Sequence, residues 1–275
     1  MTQIDSKIKS DKVPSFSVVV ISYDGRDFLR KSLKGLEQSA WRPNKIIVID
    51  DHSSDDSGAM VQKEFPYMEY IYNENNIGPT ASRNRGAKLA LGEYVVFLDN
   101  DIIVRPDSLK RLISFLDATK DAGMVGGKLL NKRGEKIFWN MGYRPNFIRA
   151  AIGKILYFFL QPFLARSTRA RDFLMNFSLN YWDYDRSIPV GWVIESFIAV
   201  RLELFIQVHG FDEQFFMFHE GPDLSDRLRE IGYQTYFVHN ALVTMLEGHV
   251  HSLAKRKKMF RTSTWRYYKK HYFHF

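Results

Sequence analysis

The chain has 275 residues, 45% hydrophobic and 25% charged, with no cysteine and a formal charge of +8. That balance is globular, enough for one large α/β domain with an appendage, and it excludes a disulfide scaffold and a Cys-ligated zinc site. The positive excess favours anionic partners such as nucleotide phosphates or anionic lipid, and the lack of cysteine fits a reducing compartment.

Residues 1–14 are polar and Lys-bearing, so they read as a flexible tail and not as a secretory signal. No run of about 18 apolar residues occurs, so no membrane-spanning helix is expected. Residues 16–22 are apolar and β-branched and predict a buried strand. Phe28, Leu29, Leu33 and Leu36 recur at helical spacing over 27–38. Residues 45–50 predict a second buried strand, 57–65 a helix, 68–72 a short strand, 80–91 a helix and 93–98 a third buried strand. Alternating strands and helices imply a parallel sheet covered on both faces, where ligands bind beyond the carboxyl ends of the strands. Three polar clusters fall at those ends: Ser22, Tyr23 and Asp24; Asp50 and Asp51; Asp99, Asn100 and Asp101. Neither a dinucleotide G-x-G-x-x-G nor a P-loop follows any of these strands, which argues against an oxidoreductase or a P-loop kinase.

Residues 147–164 are strongly apolar but interrupted by Arg149, Lys154, Gln161 and Pro162, and Arg166, Arg169 and Arg171 follow. An in-plane helix at a lipid interface fits this pattern; a core helix or a dimer face has the same signature. Cations from Lys255 to Lys270 are interleaved with Trp265, Tyr267, Tyr268 and Tyr272. That mixture suits either a lipid interface or a solvated basic helix.

Asp99 and Asp101 place two carboxylates two residues apart after a buried strand, a donor set for Mg²⁺ or Mn²⁺ that would neutralise a diphosphate. Asp50 and Asp51 suit a pyrimidine N–H or a ribose hydroxyl, whereas Asp55 and Asp56 read as helix caps. Arg83, early in a predicted helix, is placed to reach a base or a phosphate; Arg85 reads as surface charge.

The phrases around Ser17–Tyr23, Val48–Asp55, Asn76–Asn84 and Phe97–Asp101 resemble family 2 glycosyltransferases of GT-A fold. The second half resembles bacterial rhamnosyltransferases of cell-surface polysaccharide assembly, on Trp182–Asp185, Val190–Trp192, Val200–Arg201, His209–Glu213, Phe215–Glu220 and Asp223–Leu224. The resemblance implies a mixed, mostly parallel α/β sheet flanked by helices. A nucleotide-binding half would span 15–130, a helical insertion near the membrane 140–185 and an acceptor-binding half 190–252, with a basic aromatic tail at 253–275. It also implies an inverting transfer from a dTDP- or UDP-sugar, with a divalent cation, to a glycan or lipid-linked hydroxyl at the cytoplasmic membrane face. Ser22, Tyr23, Asp50, Asp51, Arg83 and Asp99 would bind nucleotide; Asp99, Asp101 and His249 would hold metal; Trp192 and Glu195 would meet the acceptor.

Two departures stand out. Relatives carry Glu-Asp-x-Asp-Leu, whose first Asp is the base; this chain has Glu220-Gly221-Pro222-Asp223-Leu224, leaving Glu220 or Asp223 to substitute. A His that often binds metal in relatives is Met245 here by spacing, with His249 and His251 nearby. Glu195 stands where relatives have small residues; it narrows the acceptor pocket, serves as an alternative base, or pairs with Arg201. The competing reading is a homologue that binds nucleotide sugar or a partner without catalysis. Nucleic-acid binding has only the charge in its favour.

Overall fold

The computed structural model describes residues 13–164, 166–179, 185–246 and 253–272. Expectations resting on residues 1–12, Trp182, His249 and His251 lie outside the described residues. The first half runs β1 (Phe16–Ser22), α1 (Arg26–Glu37), β2 (Lys45–Asp50), α2 (Ser57–Glu64), β3 (Glu69–Tyr72), α3 (Gly78–Ala87) and β4 (Tyr94–Asp99). β1 is buried at every position, and its side chains alternate between two cores. Val18 and Val20 pack with Leu29, Leu33 and Leu36 of α1, while Val19 and Ile21 belong to the core on the opposite face. Burial on both faces is what a continuous apolar β-branched run requires. β2 and β4 pair parallel to β1 on either side, and β3 adds in parallel beyond β2.

α3 starts earlier and ends earlier than its sequence predicts. Pro79 sits in its first turn, where a missing N–H costs nothing. The Leu89 and Ala90 N–H groups donate to the carbonyls of Gly86 and Ala87, tightening the exit into single turns before Gly92 at φ +101°. A Cβ on Gly86 would lie 2.3 Å from Val19, so this glycine allows α3 to approach the sheet closely.

The second half adds β5 (Ile102–Val104), α4 (Ser108–Ala118), β6 (Ala122–Leu130), β7 (Met141–Gly142), α5 (Phe147–Leu160), α6 (Thr168–Met175), β8 (Ile188–Val190), β9 (Trp192–Val193), β10 (Phe197–Arg201), α7 (Leu202–Gln207), α8 (Glu220–Glu230), β11 (Gln234–Met245) and α9 (Leu253–Tyr272). The large sheet has the order β3-β2-β1-β4-β10-β6-β11-β5, and β8 also pairs with β11. β10 runs antiparallel to both neighbours, β4 and β6, and β11 is parallel to β6. β7 and β9 form a separate two-stranded ribbon.

α5 buries none of its residues; Ile148 is 71% exposed, Phe158 68% and Phe159 66%. This overturns the core-helix alternative for that stretch. α9 is not a purely solvated tail either. Its Tyr267 and Tyr268 are buried with Phe215, and Tyr268 stacks on Phe147 at 3.4 Å between ring centroids. Tyr267 donates to Asp226, Lys270 pairs with Asp212 and Asp223 at 2.7 Å, and His271 Nε2 lies 2.9 Å from Asp223. With Arg227 also on Asp223 at 2.8 Å, these contacts hold its carboxyl down to about 2 against the opposing effect of burial.

A depressed carboxyl pKa stabilises the fold above the unfolded value, and that contribution is lost as pH falls from about 4 to about 2. Asp223→Asn is therefore expected to cost about 2 kcal/mol at neutral pH. In urea titrations the gap between variant and wild type should close across that acid window.

Candidate active site

A cleft of about 270 Å³ opens at the carboxyl ends of β1 and β4, where the chain leaves β1 for β2 on one side and enters from β4 on the other. This is a topological switch point, the usual ligand position in such sheets. Ser22 and Tyr23 line it from the end of β1, and Asp99, Asn100 and Asp101 from the end of β4. Because β10 is antiparallel to β4, with Phe197 opposite Leu98, the residues before β10 arrive beside Asp99. Glu195 and Ser196 thus enter the wall, and the Ser196 hydroxyl donates to Asp99 Oδ2 at 2.6 Å. Asn100 Nδ2 donates to the Ser22 hydroxyl at 3.0 Å, tying the two strand ends together.

Arg83 is the hub. It is 3% exposed and reaches Asp99 Oδ1 at 2.8 Å with one nitrogen and Glu220 Oε1 at 3.2 Å with the other. Its Nε and Glu220 Oε2 are buried without a hydrogen-bond partner among the described residues. The arginine expected to meet a base or phosphate is therefore engaged by carboxylates from β4 and α8. Burial raises the pKa of Glu220, and the Asp99 charge adds to this against the pull of Arg83. Glu195, half-buried in the wall, is pushed up to about 8 by burial and by the Glu220 charge. Three carboxylates around one guanidinium leave an excess of negative charge that a proton or a cation would offset. Phe218 and His219, just before α8, take left-handed backbone angles of φ 70° and 67°. Such strain in non-glycine residues is held only where the surroundings over-determine it. Burial against Phe260 and Tyr267 lowers the His219 pKa to about 4.

Several expected residues have other tasks. Asp51 lines the cleft, but its carboxylate accepts from Asn73 Nδ2 at 2.8 Å, Ile77 N at 2.9 Å and Gly78 N at 2.8 Å. It satisfies the otherwise orphaned N–H groups at the start of α3. Asp50 is buried, not in the cleft lining, and accepts from Tyr70 and from Ser53 N. Asp55 caps as expected, accepting from Ser57 N, whereas Asp56 makes no side-chain cap. Arg85 is not simple surface charge, since it bonds the Tyr72 carbonyl and Asn73. Asp223, expected as a possible base, faces Arg227, Lys270 and His271 and does not line the cleft. Trp192 lines a different cleft, between β9 and α5, with Trp139, Tyr143 and Arg149. Arg201 donates to the carbonyls of Ala122, Leu116 and Thr119, not to Glu195.

Asp99 and Asp101 both face the cleft, and Met245 reaches it from the end of β11, paired in register with Ile102. Its thioether is too soft to suit Mg²⁺ or Mn²⁺. Among the described residues no group of three or more His, Cys, Asp or Glu could hold a metal ion. A hard cation would need phosphate oxygens beside the two aspartates, which is the ordinary way Mg²⁺ is held. Sequence reasoning missed the contributions of Ser196, of the Phe216–Phe218 segment and of Arg256, which reaches the same cleft from α9. The basic run around Arg256 and the Phe215–Glu220 phrase carried a signal for two of these; Ser196 carried none.

A mostly parallel sheet with one reversed central strand and an acidic pair at its carboxyl edge is the arrangement of a GT-A glycosyltransferase. The chain belongs to glycosyl transferase family 2, whose family model matches residues 17–176. Among curated proteins it is 26% identical over 243 residues to the N-acetylglucosaminyl-diphospho-decaprenol L-rhamnosyltransferase of Mycobacterium tuberculosis, covering 84% of this chain and 76% of that one. It is 32% identical over 126 residues to the GalNAc(5)-diNAcBac-PP-undecaprenol beta-1,3-glucosyltransferase of Campylobacter jejuni, covering 44% of this chain and 40% of that one. Among solved structures, GalNAc-T7 with UDP, GalNAc and Mn²⁺ matches at TM-score 0.61 and 15% identity, over 87% of this chain and 45% of that one. S. aureus TarS 1-349 with UDP-GlcNAc matches at TM-score 0.57 and 19% identity, over 87% and 60%.

Removing the hub leaves buried charges unpaired. Arg83→Met is expected to cost about 3–5 kcal/mol in denaturant unfolding, with part of that recovered in the Arg83→Met, Glu220→Gln double variant.

Proposed function

We propose that the protein transfers a deoxyhexose such as rhamnose, with inversion, from a dTDP- or UDP-sugar to a hydroxyl of a lipid-linked glycan at the cytoplasmic membrane surface. The observation that carries this is the meeting of Asp99, Asp101, Arg83 and Glu220 at the sheet's carboxyl edge. Asp99 and Asp101 would hold a divalent cation together with the donor diphosphate. When bound, the cation supplies Lewis-acid stabilisation of the leaving diphosphate. Ser22 and Tyr23 would meet the nucleotide, and Arg256 adds positive charge to the same cleft. The Mycobacterium relative, named for a rhamnosyl transfer to a decaprenyl diphosphate-linked sugar, supports the sugar and the lipid-linked acceptor.

The membrane reading draws support from α5. Its exposed Ile148, Ile155, Phe158 and Phe159 accompany Arg149 and Lys154, with Arg166, Arg169 and Arg171 following. Apolar side chains beside cations match an anionic lipid interface. No described helix is long and apolar enough to cross a membrane. The alternative, a binding homologue without catalysis, is favoured by one observation, the glycine at 221.

Purified protein is expected to release nucleoside diphosphate from dTDP-rhamnose or a UDP-sugar when Mn²⁺ and N-acetylglucosaminyl diphospho-decaprenol are present. Chelation should abolish release, and Asp101→Asn should lower it at least about 100-fold, as loss of transition-state charge stabilisation does. Nucleotide binding with no release from any donor would favour the alternative. Separately, Phe158→Glu with Phe159→Glu is expected to weaken sedimentation with phosphatidylglycerol vesicles at least about tenfold, and unchanged sedimentation would remove α5 from the lipid contact.

A further inference from the structure

We propose that Glu195 is the catalytic base of the transfer, its carboxylate standing in the space that a side chain at residue 221 would fill. The inference rests on the transferase reading above and deepens it. Residue 221 is the second position of α8, and its backbone is not left-handed, so no turn geometry demands glycine there. Glycine is a poor helix former, so its presence has another reason. The reason is steric. A Cβ built on Gly221 would lie 2.0 Å from Glu195 Oε1 and 2.7 Å from its Cδ. The two positions compete for one volume, and Glu195 holds it.

The same contact fixes the carboxyl group. The Gly221 N–H donates to Glu195 Oε1 at 2.6 Å from the first turn of a helix, which favours the ionised form against the burial and the Glu220 charge that oppose it. Glu195 reaches this point from the turn that precedes β10, so the functional group comes from one element and the vacancy from another. Glu195 lines the cleft together with Ser196 and Glu220. The other two candidates are engaged. Glu220 is the buried counter-charge of Arg83, and the Asp223 side chain is fully buried against three cationic or imidazole partners outside the cleft.

In the step, the acceptor hydroxyl gives its proton to the Glu195 carboxylate while its oxygen bonds to the anomeric carbon of the donor. The bond from that carbon to the diphosphate oxygen breaks with its electron pair, and the nucleoside diphosphate leaves. The glutamic acid then returns its proton to solvent.

The test moves the carboxylate across the contact. Transfer is measured with a panel of dTDP-rhamnose, UDP-glucose and UDP-GlcNAc as donors, Mn²⁺ and N-acetylglucosaminyl diphospho-decaprenol, and dTDP and UDP binding is measured alongside. Glu195→Gln preserves shape and the Gly221 contact; it should lower the transfer rate about 10²–10⁴-fold with nucleotide affinity unchanged. Glu195→Gly should be equally impaired, and adding Gly221→Asp in that background should restore transfer at least about tenfold, because the new side chain enters the emptied volume. Wild-type rates in Glu195→Gln, or no recovery in a folded, nucleotide-binding double variant, would overturn the assignment while leaving the transferase intact. A wild-type protein that binds nucleotide and transfers nothing would instead sink the transferase reading and this inference with it.

Discussion

The guanidinium of Arg83, buried between Asp99 and Glu220, is the interaction on which the cleft depends. It joins α3 and the end of β4 in the first half to the start of α8 in the second. A charge this far from water is tolerated only with good partners, and breaking one side leaves an uncompensated ion. The planar fork of arginine can serve two carboxylates at once, which lysine could not do with the same geometry. Asn84, the next residue, reinforces the joint by accepting from Phe211 N and donating to the Phe211 carbonyl and Glu213. One turn of α3 therefore positions two distant loops around the cleft.

The first half was largely legible in the sequence. Its strands are short, apolar and β-branched, and burial on both faces is a local property of such runs. The polar clusters at the ends of β1 and β4 line the cleft. What local pattern does not encode is strand order. Ser196 and Asp99 are 97 residues apart and meet only because β10 inserts antiparallel beside β4. Local pattern also leaves out the partners that individual residues find in the fold. Asp51 lines the cleft and also satisfies the backbone donors of the loop entering α3. Asp223 looked like a spare base, although its i,i+4 spacing to Arg227 already offered it a partner. The burial of Tyr267 and Tyr268 was hidden by the lysines and arginines around them, which dilute the apolar face of α9.

Likeness at 15–19% identity to solved glycosyltransferases establishes the fold and nothing finer. The chemistry has to come from the site. There two residues far apart in the chain touch one another. The glycine at 221 and the glutamate at 195 look unrelated in sequence, but in space each accounts for the other. Around Arg83 the carboxyl groups of Asp99, Glu195 and Glu220 outnumber the single guanidinium.

The most direct measurement is a crystal structure of the full chain soaked with Mn²⁺ and dTDP or UDP, with anomalous scattering to locate the metal. One manganese is expected between the diphosphate and the side chains of Asp99 and Asp101, with the nucleotide running across the ends of β1 and β4. Nucleotide bound elsewhere, or diphosphate in this cleft without metal while manganese is in excess, would contradict it.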